Sequence, residues 1–167
     1  MSVAGGSGAP EVDVVLDGFP LALARRSDEH HADLMRELAL LALDAGSGDS
    51  DVPERLLALV DELEARYAAT GAEADRLRES ARSRGEETTR LVLPVPRDVG
   101  PAAARLLALL EEAEDFCREG RHLLTLAAEP EVRAFRGWYL GELTAQTSGM
   151  PPTPWPSVLE RPVRGDD

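Results

Sequence analysis

The chain has no lysine. Its 167 residues carry 18 basic side chains, all arginine, against 31 acidic ones, for a formal charge of −13. A charge of that size and sign repels phosphate backbones and anionic membrane surfaces, so nucleic acid and membrane are not expected partners. Cysteine occurs once, at Cys117. One thiol cannot make an internal disulfide or a cysteine-based structural zinc site, and such scarcity suits a reducing cytoplasm. No apolar run approaches the roughly 20 residues that span a bilayer. The opening MSVAGGSGAPE lacks the basic stretch and apolar core of a signal peptide and reads as a flexible leader over 1–10. The glycine-rich phosphate loop, the dinucleotide fingerprint and the nucleophile elbow are all missing, and no spacing marks a catalytic triad. The expectation is a cytoplasmic interaction protein without a cofactor rather than an enzyme.

What is present organises around SDEHHADLMRELALLALD, residues 27–44. Leu34, Leu38 and Leu41 recur at helical spacing with Met35 and Ala42 beside them, and Ser27 can cap the first turn, with Asp28 and Glu29 facing the helix dipole. Before it, EVDVVLD (11–17) alternates as a strand does. Leu21 and Leu23 alternate again, which reads as a hairpin turning at Asp17–Pro20, with a helix from near Pro20 as the competing reading. After it, Asp51-Val52-Pro53-Glu54 opens a second helix with the stripe Leu56, Val60, Leu63, Tyr67. The two should pack as an antiparallel pair.

Thr70-Gly71 should interrupt that helix, and Ala72–Arg84 should be a mobile, mostly exposed helix ending at Gly85. Thr88–Val95 puts Thr89, Leu91, Leu93 and Val95 on one side of a strand, with Pro94 placing it at a sheet edge. A helix from Pro101 presents Leu106, Leu110, Ala113 and Cys117, flanked by Leu107 and Phe116, and Gly120 ends it. HLLTLA (122–127) reads as a further strand. Pro130–Thr147 reads as the last helix, with Val132, Phe135, Tyr139 and Leu143 inward and Gly149 after it. The fold class is α+β: about five helices on a small sheet of three to four short strands. One domain covers 11–149, and a Pro-rich tail covers 150–167.

His30-His31 is the most informative pair. Neighbours on a helix diverge by about 100°, so the two do not readily chelate one ion. His30, Asp33 and Glu37 share a stripe and are weak metal candidates; an ordinary polar helix face explains them as well. An exposed histidine on a helix pair is also the geometry of a histidine phosphotransfer module, but HADLMR lacks the basic and proline features of a kinase histidine box. Cys117 lies on an apolar face, as a buried thiol does. The acidic run Glu111-Glu112-x-Glu114-Asp115 reads as the solvated side of its helix, and His122 has no evident partner. Phe135, Trp138 and Tyr139 gather three aromatics beside Arg133 and Arg136. Trp138 with Arg136 makes a candidate partner anchor, and Trp155, inside Pro-Thr-Pro-Trp-Pro, either pins the tail to its own domain or docks elsewhere. The candidate partner-binding set is His30, His31, Asp33, Arg36, Arg136, Trp138 and Trp155, with homodimerisation a further option.

Three segments, GFPLALARRSDEHHADLMRELALLA (18–42), VPERLLALV (52–60) and AFRGWYLGEL (134–143) with PPTPWP after it, resemble a family of small actinobacterial cytoplasmic proteins of unassigned activity. Its members tend to be encoded beside STAS-type anti-sigma-factor antagonists, anti-sigma kinases and PP2C-like phosphatases. The resemblance implies partner-switching or stress-signalling regulation, and implies weight for Glu29, His30, His31, Asp33 and Arg36. It transfers no catalytic residue.

Overall fold

The computed structural model describes residues 10–44, 52–119 and 127–156. Within them the chain is α+β. It runs β1 (Glu11–Pro20), α1 (Leu21–Asp44), α2 (Val52–Arg66), α3 (Ala68–Ser83), β2 (Thr88–Pro96), α4 (Val99–Arg118) and α5 (Pro130–Thr147). β1 and β2 pair antiparallel, from Glu11 opposite Pro96 to Pro20 opposite Thr88. Val14 and Leu16 of β1 and Leu91, Leu93 and Val95 of β2 face the core, so the alternation in the sequence is the alternation of buried and wet faces. Among the described residues the sheet has two strands, so both are edges, which accommodates Pro94.

The register slips between Leu16 and Phe19: Leu16 faces Leu91 and Phe19 faces Thr89. β1 therefore uses one residue more than its partner, a bulge. Gly18 has a φ of +67° there, a conformation open to a residue without Cβ. The extra residue shifts the phase of the strand, and Phe19 turns into the core behind Leu16.

The expected hairpin does not form. Leu21 starts α1, and the apolar stripe of Leu34 and Leu38 runs back through Ala24 and Leu21 at helical spacing, all four buried. Two leucines two apart have the spacing of a strand, not of a helix face; the longer stripe decides for the helix. Ser27 is consequently interior to α1 and caps nothing. The first amide of the helix, on Leu21, is satisfied by the carbonyl of Glu87 at 3.0 Å.

The interruption expected at Thr70-Gly71 falls instead at Tyr67, whose φ of −112° and ψ of 24° separate α2 from α3. Helical bonding nearly bridges the break: Tyr67 N–H donates to the Leu63 carbonyl at 2.9 Å, and Gly71 N–H to that of Tyr67 at 3.0 Å. α3 is largely exposed and buries only Ala74 and Ala81. α5 has the limits its Pro130 and Gly149 imply. It closes in a Schellman turn, with Met150 N–H on the Ala145 carbonyl and Gly149 N–H on that of Gln146.

The expected strand at 122–127 falls almost wholly outside the described residues, and Ala127 itself is not in a strand. Gly120, His122, the Asp51 cap, the leader before Pro10, the tail beyond Pro156 and the side chains of Phe116 and Cys117 also lie outside them.

One core joins these elements. Leu34 and Leu38 of α1, Leu56 of α2 and Leu110 of α4 are essentially inaccessible. α4 approaches α5 closely at Gly100, whose carbonyl accepts the Thr144 hydroxyl at 3.2 Å. A Cβ added at Gly100 would run into Oγ1 of Thr147, which is held by the Leu143 carbonyl at 2.7 Å. Alanine for glycine normally favours a helix. Here the sign should reverse: Gly100→Ala is expected to lose about 1–3 kcal/mol in urea denaturation, and Gly100→Ala with Thr147→Ala to recover most of it. Among the described residues no helix is long and apolar enough to cross a membrane.

Candidate interaction groove along the first helix

A groove of about 730 Å³ runs along α1. Arg26, Glu29, His30, Asp33, Arg36, Glu37 and Leu40 form one wall at successive helical turns; Ala127, Glu129 and Val132, at the entry to α5, form the other. Arg26 ties the walls together by pairing with Glu129 and, at 3.2 Å, with Glu131. Asp33 and Arg36 pair on the same helix at 2.9 Å.

His30 links the groove to the interior. Its Nε2 lies 3.2 Å from Oε1 of Glu114, a fully buried carboxylate on α4. The same Oε1 accepts from Nη1 of Arg136 at 3.2 Å, and Oε2 accepts the backbone N–H of Ala128 at 2.9 Å. Burial pushes the Glu114 carboxyl up. The bonds from His30, Ala128 and Arg136, with the charge of Arg136, more than offset that and hold it down at about 2. Glu114 is thus ionised across the physiological range, and Nε2 of His30 must be the donor. Arg136 is itself buried, and beyond Glu114 it has Glu111 at 3.6 Å. Its Nε and Nη2 make no hydrogen bond among the described residues.

Adjacent residues on α1 point apart, as the helix requires. His31 turns toward α2. Burial lowers its pKa, Arg136 and His30 lower it further, and Glu64 and Asp28 act the other way. The structure therefore brings His30, Asp33 and Arg36 together in the groove and leaves His31 half-buried outside it. It sets Arg136 behind Glu114. Among the described residues no three His, Cys, Asp or Glu side chains come close enough to hold a metal ion, so His30, Asp33 and Glu37 share a wall without forming a ligand set.

Trp138 and Trp155 belong to a second place. Their ring centroids lie 5.5 Å apart, and Trp155 also meets Phe135 edge-on at 5.8 Å. Nε1–H of Trp138 donates to the Thr153 carbonyl at 2.8 Å, and the Trp155 N–H donates to that of Asp17 at 2.9 Å. The tail through Pro156 is pinned to its own domain. Gln146 completes the arrangement by pairing with Val15 as another strand would, accepting its N–H at 2.9 Å and donating to its carbonyl at 2.8 Å.

A carboxylate bonded to an imidazole at the base of a groove can orient the ring, as in acid–base catalysis. Among the described lining residues no hydroxyl or thiol stands with it. The site defines an α+β protein with a charged groove built on a buried ionic network. Comparison with protein-family models, with curated proteins and with solved structures found no match to the chain.

Proposed function

We propose that the chain is a non-catalytic regulatory protein that binds a partner protein along the outer face of α1, in bacterial stress signalling of the partner-switching kind. The observation that carries the reading is the exposure of Leu40 and Leu43, 61% and 86% accessible, one turn apart at the end of the groove. Two large apolar side chains in water beside a charged channel make an anchor point with a polar rim. Glu29, Asp33, Glu37 and Glu129 outnumber Arg26 and Arg36 along that channel, which favours an amphipathic partner segment of net positive charge. The signalling context rests on the resemblance of EHHADLMRE (29–37) and its companion segments alone.

His30 serves this reading as the floor of the groove. Its side chain is only 15% accessible, and an incoming phosphoryl group would meet the charge of Glu114, so binding is favoured over phosphotransfer. A photo-crosslinking residue at Leu40, in the full chain and in cells, tests the proposal. The expected result is one dominant adduct with another protein, sought first among STAS-type antagonists and anti-sigma kinases. Leu43→Asp should abolish it while stability stays within about 1 kcal/mol. No adduct, or one indifferent to Leu43→Asp, would overturn the reading; an adduct of twice the chain's mass would replace the foreign partner by a second copy.

A further inference from the structure

A second cavity, of about 560 Å³, lies under the bend between α2 and α3 and against α4 and α5. That volume falls within the roughly 300–1,000 Å³ of small-molecule sites. Its formation follows from the sequence. α2 brings Leu63 to the cavity and then breaks at Tyr67, and α3 lines its side with Ala68, Gly71 and Ala72, residues too small to fill the space. Leu93, Val99, Ala103 and Leu140, all nearly inaccessible, close the far side.

The polar groups on this wall are few and of one kind of charge. Glu64 and Asp75 are its carboxylates, and no arginine is among the described lining residues. Asp75 is engaged by Arg78. Glu64 is exposed, and its charge acts on His31 of α1. The phenol of Tyr139, on the same wall, is pushed up by burial and stays neutral. The guanidinium at Asp75, that of Arg78, is engaged by both Asp75 and Asp28, so the acid left facing the apolar wall is Glu64, which disfavours a fatty carboxylate and suits a positive head group. A net charge of −13 adds to the same preference.

We propose that this cavity is a binding site for an elongated apolar small molecule bearing one protonated amine, its chain against Leu93, Val99, Ala103 and Leu140 and its nitrogen beside Glu64. The site shares no lining residue with the groove on α1.

The full chain would be titrated with a naphthylamine fluorophore, then competed with dodecylammonium, dodecanol and dodecanoate below their aggregation concentrations. The expected result is saturable dye binding, displaced by dodecylammonium at least about fivefold more effectively than by dodecanoate, the scale of one partly exposed charge contact. Glu64→Gln should erase the advantage of the amine and leave dodecanol unchanged. Gly71→Leu adds bulk where a new Cβ meets no atom within 4 Å, and should cut binding by more than about tenfold with the fold intact. Ala103→Phe fills the cavity from the opposite wall; if it does not fold, Gly71→Leu decides. Absence of saturable binding, equal displacement by the carboxylate, or binding that survives Gly71→Leu would each overturn the assignment.

Discussion

Glu114→Ala is expected to lose about 3–5 kcal/mol of stability, because it strands a buried guanidinium. Arg136 is buried, its Nη1 spends its bond on Glu114, and Glu111 at 3.6 Å is a poor substitute. The Ala128 N–H and the His30 Nε2 lose their acceptor in the same step. The same contacts should make stability depend on pH. A carboxyl that ionises at about 2 in the fold instead of 4.5 contributes roughly 3 kcal/mol. Because the folded value is the depressed one, this stabilisation is complete above about 4.5 and is lost as pH falls toward about 2.

Urea denaturation at neutral pH and again near pH 3 checks both statements. Wild type should weaken between the two, and Glu114→Gln should weaken less. Replacing both partners, Glu114→Leu with Arg136→Leu, should restore most of the loss, since neither charge is then left in the interior. If Glu114→Ala costs under about 1 kcal/mol, the network does not hold α1, α4 and α5 together as described.

That network also shows where reading the sequence stops. His30 stood out because paired histidines are rare in so arginine-rich a chain. Its partner is 84 residues away, and no local pattern points to it. The run Glu111–Asp115 reads as a solvated acidic face, yet Glu114 follows Leu107 and Leu110 at helical spacing, and Arg136 follows Val132 in the same way. One acid and one base, each interrupting the apolar stripe of its helix, were the available signal for a buried pair.

Elements bounded by local chemistry were legible. Pro130 and Gly149 delimit α5 by backbone geometry alone, and β2 announces itself by alternation. The start of α1 was not legible, because its first amide is satisfied by Glu87, a residue remote in sequence. The break at Tyr67, expected at Thr70-Gly71, is hidden from the sequence for a related reason. Gly71 costs a helix only about 1 kcal/mol, which packing readily overrides. Gln146 in place of a third strand belongs to the same class, since nothing in TAQTS (144–148) advertises a sheet edge waiting for an amide.

Trp155→Ala is expected to cost about 2–3 kcal/mol, less than the roughly 3–5 of a fully buried tryptophan because the ring is only partly covered. The indole stands edge-on to both Phe135 and Trp138, and these rings form one cluster with Phe19, which the Gly18 bulge turns inward. Without it, the Asp17 carbonyl and the Trp138 Nε1–H depend on a tail that no longer has a side chain holding it down. The stiffness of Pro151, Pro152, Pro154 and Pro156 keeps the entropic cost of docking low, so the loss should track the ring and not the ordering of the chain.

The variant carries its own reporter. Trp138 becomes its only tryptophan, and its emission should shift to the red as the cover leaves. Amide exchange at Thr153 and at position 155 should accelerate, whereas Trp155→Phe should keep more than half of the stability. Unchanged Trp138 emission together with a loss under about 0.5 kcal/mol would show that the tail rests on the domain without contributing to it.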